Sequence, residues 1–336
     1  MISKDVDKTP KTRIINLKNC EHDKATEYLK TYFYGWAAKE KWNTGIYDMP
    51  LYFKSYPQAF YVLEVLSENS KNYDPAAILL APYDDETNQA CIGVYISEGT
   101  KYRGKGYGYQ LWKHVFAELD RLNPKSTRYL YGVPQQVSNY QKSGFFTTHN
   151  IMHYNMNPNQ KYGPFQTIIE KYGSKETSEK AVFQYLKKNY SVGFAKFVKN
   201  IAEKKDVHIR VSIGPETKEI IGVGMARPLH DGKSYRYSIV TTKNRFDAAD
   251  ALFRTLNRNL VDKEHKVVID VRETTPSQEA YEYYCHSENT VAKDTVLKKK
   301  YGQHWTTEMS TQPSSPNCVE IDVAAEPSLD INFVPK

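Results

Sequence analysis

The 336-residue chain has little cysteine. Cys20, Cys91, Cys285 and Cys318 lie far apart and form no CxxC pair. That spacing argues against a disulfide framework and against a zinc knuckle, and fits a reducing compartment, most simply the cytosol. Long apolar runs are missing as well. No stretch approaches the roughly 20 residues that a membrane-spanning helix needs. The opening MISKDVDKTPKTRIINL lacks the apolar core and the small-residue cleavage site of a secretory signal, so no membrane partner is expected. Charge of one sign is nowhere concentrated. The formal net charge is +7, but the basic runs Lys187-Lys188, Lys204-Lys205 and Lys298 to Lys300 are short and flank apolar segments. They read as solvated faces, so a nucleic-acid partner is not expected. The length leaves room for one large domain or two of ordinary size. Tyrosine, at 27 residues, is the one abundant polar aromatic.

The pattern along the chain is mixed. ATEYLKTYFYGWAA (Ala25 to Ala38) predicts a helix with Leu29, Phe33 and Trp36 on one side. Ala59 to Leu66, Ala76 to Tyr83 and Ala90 to Ser97 read as strands, the last two joined by the turn Asp84 to Asn88. The segment from Tyr109 to Leu122 repeats Leu111, Val115, Leu119 and Leu122 at helical spacing, with Trp112 and Phe116 beside them. Arg128 to Val133 is the next strand, followed by a short helical or turn segment, Pro134 to Phe146.

Between the strand ending at Ser97 and the helix lies SEGTKYRGKGYGY, in which Gly104, Gly106 and Gly108 alternate with Lys105 and Tyr107. A strand–loop–helix connection places such glycines at a helix N-terminus. There the first amides lack intrahelical acceptors and the dipole is positive. Glycine lets the backbone adopt φ > 0 and come close to a ligand. The chemistry this suits is a phosphate or pyrophosphate cradle, with Arg103 and Lys105 adding charge. It is not a Walker loop, which needs GxxxxGK[ST]. Nor is it a dinucleotide fingerprint, because the spacing is GxGxG and the strand before it belongs to an antiparallel hairpin.

Arg103-Gly104-Lys105-Gly106-Tyr107-Gly108 matches [QR]xxGx[GA]. Here the sequence resembles the GNAT superfamily of acyl-CoA-dependent N-acyltransferases. YRGKGYG is similar to that family's motif A, and YQKSGF (Tyr140 to Phe145) to its motif B. The resemblance implies acetyl-CoA as co-substrate and no metal. It implies that Arg103, Gly104, Lys105, Gly106, Tyr107, Gly108 and Tyr109 hold the pyrophosphate, with Asn139 on the cofactor as well. The pantetheine arm would lie in a splay between two parallel strands, with Tyr95, Ile96 and Ser97 near the acyl carbonyl. Tyr140 would protonate the leaving thiolate. The base is less defined. The strand glutamate of some members falls near Ile92, so Glu98 or Glu64 would have to serve. Motif B also departs from NxxAxxLYxKxGF, since Val133 and Gln136 stand at its Asn and Ala positions.

The second half repeats this grammar. Val207 to Ile213, Ile220 to Leu229, the turn HDGK and Ser234 to Val240 precede an amphipathic helix carrying Ala251, Leu252, Leu256 and Leu260. Lys266 to Glu273 is then a strand, and Pro276 to His286 a helix. The loop of this copy, TTKNRFDAAD, has no glycine and carries Asp247 and Asp250, which would repel a pyrophosphate. This half resembles the C-terminal domain of YitH-like double-GNAT proteins. The fold class expected is therefore α+β, as two tandem GNAT-like domains, each a mixed, mostly antiparallel sheet flanked by helices. The first is expected over 1–160. A degenerate copy over 161–305 would wall the acceptor pocket, with Arg227, Arg236 and Tyr237 within reach. It opens on helical segments at Gln166 to Tyr172 and Ser178 to Glu203, and a Ser/Pro-rich flexible tail is expected over 306–336. His149 and His153 have metal-ligand spacing but no third ligand nearby, and read as strand histidines.

These features make acetyl transfer to a small amine or amino acid the expected function. The alternatives are a CoA-binding regulatory or scaffold protein without catalysis, and a protein- or chromatin-associated acetyltransferase. The sequence leaves the acceptor and the oligomeric state open.

Overall fold

The structure, a computed structural model, describes residues 10–40, 42, 44–67, 72–86, 88–99, 101–133, 136–156, 167–174, 177–190, 192–242, 246–258, 260, 266–272 and 302–311. The first half runs β1 (Thr12–Asn16), α1 (His22–Tyr28), a π-helical turn (Leu29–Tyr34), α2 (Gly35–Lys39), α3 (Asp48–Ser55), β2 (Phe60–Leu66), β3 (Tyr73–Leu80), β4 (Tyr83–Asp84), β5 (Gln89–Ser97), α4 (Tyr107–Leu122), β6 (Thr127–Gly132), α5 (Val137–Lys142) and β7 (Phe146–Met156). The second half runs β8 (Ile168–Lys171), α6 (Glu179–Asn189), α7 (Val192–Ile201), β9 (His208–Ile213), β10 (Ile220–Pro228), β11 (Ser234–Thr241), α8 (Phe246–Arg258), β12 (Lys266–Arg272) and β13 (Gly302–Ser310).

The strands form one α+β sheet in the order β1-β2-β3-β5-β6-β13-β7-β12-β11-β10-β9-β8, with β4 paired to β5 off this path. Pairing is antiparallel except at β5–β6 and β11–β12. Those two parallel pairs mark a structural repeat: β2-β3-β5-α4-β6 and β9-β10-β11-α8-β12 share order and pairing.

Period-two alternation assigns the two faces. Val62, Ile78, Leu80, Val94 and Ile96 face a core shared with α1 to α3, α6 and α7. Leu63, Ala77, Leu79, Ile92 and Tyr95 face α4 through Leu111, Trp112, Val115 and Leu119. The first core crosses between the halves, where Tyr52 of α3 stacks on Phe197 of α7 at 5.4 Å. Leu29, Phe33 and Trp36 share one side of the first helical segment and are all buried.

Several segments differ from the sequence reading. Gln166 to Tyr172 was expected to be helical, yet Ile168–Lys171 is strand β8, paired with Ile213 to Arg210 of β9. Two adjacent β-branched isoleucines next to an open sheet edge outweigh a weak helical period. Ser178 to Glu203 is two helices, with Ser178 capping the first through the Ala181 amide. β13 spans the point where the flexible tail was expected to begin. It inserts between β6 and β7, with Met309 and Ser310 fully buried. The last strand described thus completes the sheet of the first half. Residues 273–300 and 312–336, which include the expected helix Pro276 to His286 and most of the expected tail, lie outside the described residues.

Candidate functional site

The glycine loop leaves β5 at Ser97 and is tied to two strands. Glu98 accepts the Lys101 and Tyr102 amides on Oε2 at 2.7 and 3.1 Å. Lys101 Nζ and Tyr102 Oη donate to Asp74 Oδ2 of β3 at 2.7 and 3.0 Å. Those two donors hold the Asp74 carboxyl below the usual carboxylate range. With its stem fixed, the loop turns through Gly104 (φ 80°) and Gly106 (φ 83°), the region that L side chains avoid. A Cβ built at either position would meet nothing within 4 Å, so the space above them is open. Gly106 is the N-cap of the 16-residue α4 and brings no side-chain cap. The first-turn amides therefore have no intrahelical acceptor, and the dipole's positive end faces that open space.

Gly108 serves a different purpose. A Cβ there would lie 2.6 Å from Ser97 Oγ and 3.0 Å from Tyr95 Oη. A larger residue there would force the Ser97 or Tyr95 side chain to shift, so glycine suits the close start of α4 against β5.

Beside the loop the sheet opens. β5 and β6 pair in parallel only from Gln89–Thr127 to Ile92–Leu130. β5 continues to Ser97 and β6 to Gly132 without pairing each other. The cause is local. Val94 has φ 42°, and the β3–β5 register shifts between Ile78 and Leu80. That is a bulge, which bends β5 away from its parallel neighbour. Tyr95 follows the bulge. Its hydroxyl is buried, has no hydrogen-bond partner among the described residues, and is pushed far up in pKa by burial and, secondarily, by Tyr140. It is a protonated donor beside the opening. Tyr140 stands on α5 with its ring 5.9 Å from Trp112 and 6.3 Å from Phe145. It lies so close to Gly132 that a Cβ there would sit 3.0 Å from its ring.

On the other face of β5 is a cleft of about 260 Å³, lined by Trp36, Lys39, Glu40, Ile96, Ser97, Glu98 and Gly99. It lies where the end of β5 meets the end of α2. Glu40 joins cleft and loop: its Oε1 accepts Arg103 Nη2 at 3.0 Å, and both side chains are about a fifth to a quarter exposed. The sequence reading missed Glu40. Its only signal was a carboxylate just past an apolar helix, 63 positions from its partner.

The structure thus gathers Ile96, Ser97 and Glu98 at the cleft, and Tyr95, Tyr140 and the three glycines around the strand opening. Lys105 and Tyr109 are exposed on the loop and α4, and Tyr107 packs edge-on to Tyr102. Asn139 donates to Gln136 Oε1 at 2.7 Å. Glu64 does not line the cleft. It is fully buried, paired to Arg13 Nε at 2.5 Å and to the Tyr28 hydroxyl. The three residues expected from the second half do not line it either. Arg227 is fully buried against Asp48, and Tyr237 donates to Asn257 Oδ1 at 2.7 Å. Arg236, opposite Arg227 in the β10–β11 register, is also buried. All three sit on inner strands of the second half of the sheet, away from the surface expected of them. His149 and His153 are on β7, and their side chains are outside the described residues. No cluster of three or more potential metal ligands, and no helix long and apolar enough to cross a membrane, occurs among the described residues.

No protein-family model matches the chain. Over 114 residues it is 36% identical to the holothin acyltransferase of Pseudoalteromonas sp., a match spanning 33% of this chain and 34% of that protein. It therefore spans about a third of the length of this curated relative. Among solved structures, a tandem GNAT protein from the clavulanic acid biosynthesis pathway superposes with a TM-score of 0.61. That match is 13% identical and covers 91% of this chain and all of the other. A GCN5-related N-acetyltransferase from Anabaena variabilis superposes at 0.52 and 13% identity, covering 89% of this chain and 72% of its own. The fold is that of the GNAT proteins, tandem members included.

Proposed function

We propose that this protein is an N-acyltransferase that moves an acetyl group from acetyl-CoA to the amine of a small molecule or amino acid. The observation that carries this is the open, left-handed glycine loop on the N-terminus of α4, directly beside the gap between β5 and β6. A likeness to a holothin acyltransferase over a third of the chain supports the reaction class.

The residues fit such a donor. Loop amides from Arg103 to Tyr109, the helix dipole and Lys105 offer a pyrophosphate what it needs. A bound CoA thioester supplies an electrophilic carbonyl and a thiolate leaving group. The Glu98 amide donates to Ala76 O of β3 at 2.9 Å. Successive amides of a strand alternate edges, so the Ser97 amide faces the unpaired edge and can polarise the acyl oxygen. Glu98, at the mouth of the cleft, takes a proton from the attacking amine. As the C–N bond forms and the C–S bond breaks, Tyr140 gives its phenolic proton to sulfur and recovers one from solvent. Glu64, already paired with Arg13 and Tyr28, stays structural in this scheme. A cleft of about 260 Å³ lies under the roughly 300–1,000 Å³ of drug-sized pockets and suits a small amine. In the second half, Asp247 sits in the first turn of α8, where an anion would otherwise bind. We assign that half a YitH-like role as a copy without a donor site.

The test is calorimetric titration of acetyl-CoA into wild type and Gly106→Trp, with melting temperatures as the folding control. Thiol release is then screened against amines and amino acids. Binding to wild type that is lost in the folded variant is the expected result. Wild type that binds no acetyl-CoA overturns the proposal, and binding without thiol release from any amine favours a CoA-binding regulator.

A further inference from the structure

The Arg103–Glu40 ion pair links the donor loop and the acceptor cleft of the proposed reaction. Arg103 belongs to the glycine loop, and Glu40 lines the cleft on the opposite face of β5. Four charged side chains surround this junction: Lys39, Glu40, Glu98 and Arg103. Lys39 is exposed, so its ammonium is already solvated. Glu98 uses an oxygen to hold the Lys101 and Tyr102 amides, which fixes the loop. Glu40 is the cleft carboxylate paired with a guanidinium that a phosphate ligand can also bind.

A guanidinium binds phosphate in a planar, bidentate fork, and a pyrophosphate offers more negative charge than one carboxylate. A polyphosphate donor seated on the loop therefore competes with Glu40 for Arg103. Once Arg103 is drawn away, Glu40 is left as a carboxylate on a wall made by buried Trp36 and Ile96. A carboxylate in such a setting is stabilised by a new cation.

We infer that Glu40 is the residue that selects the acceptor, a protonated primary amine carrying an apolar or aromatic group, and that Arg103 occupies it until donor phosphates bind. This rests on the loop being the donor cradle. By linkage, donor and amine then strengthen each other's binding by the same factor. Trp36 supplies the flat apolar surface, and an indole face also attracts a cation. A neutral molecule of the same shape gains nothing from Glu40.

The test uses binding alone. Coenzyme A is titrated calorimetrically into wild type and Glu40→Gln, and benzylamine and benzyl alcohol are then titrated into each protein with and without saturating coenzyme A. Glu40→Gln keeps shape and helix position and removes the competitor for Arg103, so coenzyme A is expected to bind about threefold to tenfold more tightly. Benzylamine is expected to bind wild type at least fivefold more tightly with coenzyme A than without, and this gain should vanish in Glu40→Gln. Benzyl alcohol should show no dependence on coenzyme A in either protein. Equal or weaker coenzyme A binding by Glu40→Gln overturns the inference, as does equal binding of amine and alcohol to loaded wild type. Wild type that fails to bind coenzyme A overturns the donor assignment itself, which distinguishes the two failures. Glu40→Asp, which keeps the charge, should restore the amine preference in part. A variant with the amine preference of Glu40→Gln would assign Glu40 a structural role only.

Discussion

Asp48→Ala removes one half of a buried ion pair that joins the two halves of the chain. Asp48 opens α3, and Arg227 lies on β10, 179 positions away, and both side chains are fully buried. Asp48 Oδ1 accepts Arg227 Nε at 3.3 Å, while Oδ2 accepts the Gly45 amide at 3.0 Å. Around this pair the segment Thr44 to Met49 is strapped to the second half. Ile46 N donates to Pro228 O at 3.3 Å, and His230 N donates to Thr44 O at 2.8 Å. In Asp48→Ala, Arg227 retains Ser238 Oγ at 2.9 Å and the Phe197 ring at 5.4 Å, but loses the Asp48 carboxylate. Breaking a buried pair from one side costs about 3–5 kcal/mol. That is a large share of the roughly 5–15 kcal/mol by which a folded protein is stable. The assay is urea unfolding followed by circular dichroism. Asp48→Ala should lower the midpoint sharply, and the double variant with Arg227→Met should cost less than Asp48→Ala alone, because no charge then stays buried. A loss under about 1 kcal/mol for Asp48→Ala, or a double variant whose cost equals the sum of the singles, would refute the pair as the tie between the halves.

Gly108→Ala drives a methyl onto Ser97 Oγ and Tyr95 Oη and should cost about 1–3 kcal/mol in urea unfolding. Gly104→Ala meets no atom and should cost only the left-handed backbone, about 1–2 kcal/mol. Tyr140→Phe keeps the ring on Trp112 and should lower kcat about 100-fold or more with coenzyme A affinity unchanged, as read by thiol release and calorimetry. The Asp74 carboxyl is depressed in the folded state by bonds from Lys101 and Tyr102. Its anchoring of the loop is therefore fully present above the ordinary carboxylate pKa of about 4 and is lost as pH falls through the lower folded value. Coenzyme A affinity should hold from pH 7 to 5 and fall below about pH 4, a fall that Asp74→Asn should flatten. Ending the chain at Tyr301 removes β13 and leaves the facing edges of β6 and β7 unpaired. Such a chain should be insoluble or lose its cooperative melt, and retention of the full-length melting temperature would refute the strand insertion.

What the sequence made legible was local. The hairpin, the glycine loop, α4 and the β-α-β order of both halves each depend on spacing within some thirty residues, and alternation assigned their faces. What it concealed depends on partners far along the chain. Arg227 read as a residue within reach of the acceptor pocket because Asp48, which pairs with it, is 179 positions away. Glu64 read as a possible base because neither Tyr28 nor Arg13 is near it in sequence. The segment 302–310 read as the end of a domain and the start of a tail because a strand that fills a gap between β6 and β7 carries no pattern of its own partners. β8 was read as a helix because four residues are too few to establish a period.

The second half acts on the proposed reaction at one remove. Among the described residues it lends none to the lining of the cleft, which comes from α2, β5 and the turn after β5. It grips the segment Thr44 to Met49, which follows directly on the end of α2 that carries Trp36, Lys39 and Glu40. Tyr34 lies between the two regions, donating to Gly45 O at 2.7 Å and stacking on His230 at 5.5 Å. In the proposed reaction the second half would then have a mechanical task, holding one wall of the cleft against the strand that would present the acyl group. On this argument Asp48→Ala should weaken benzylamine binding in urea-free buffer even where the protein stays folded, while coenzyme A, held by the loop and α4, should bind as before.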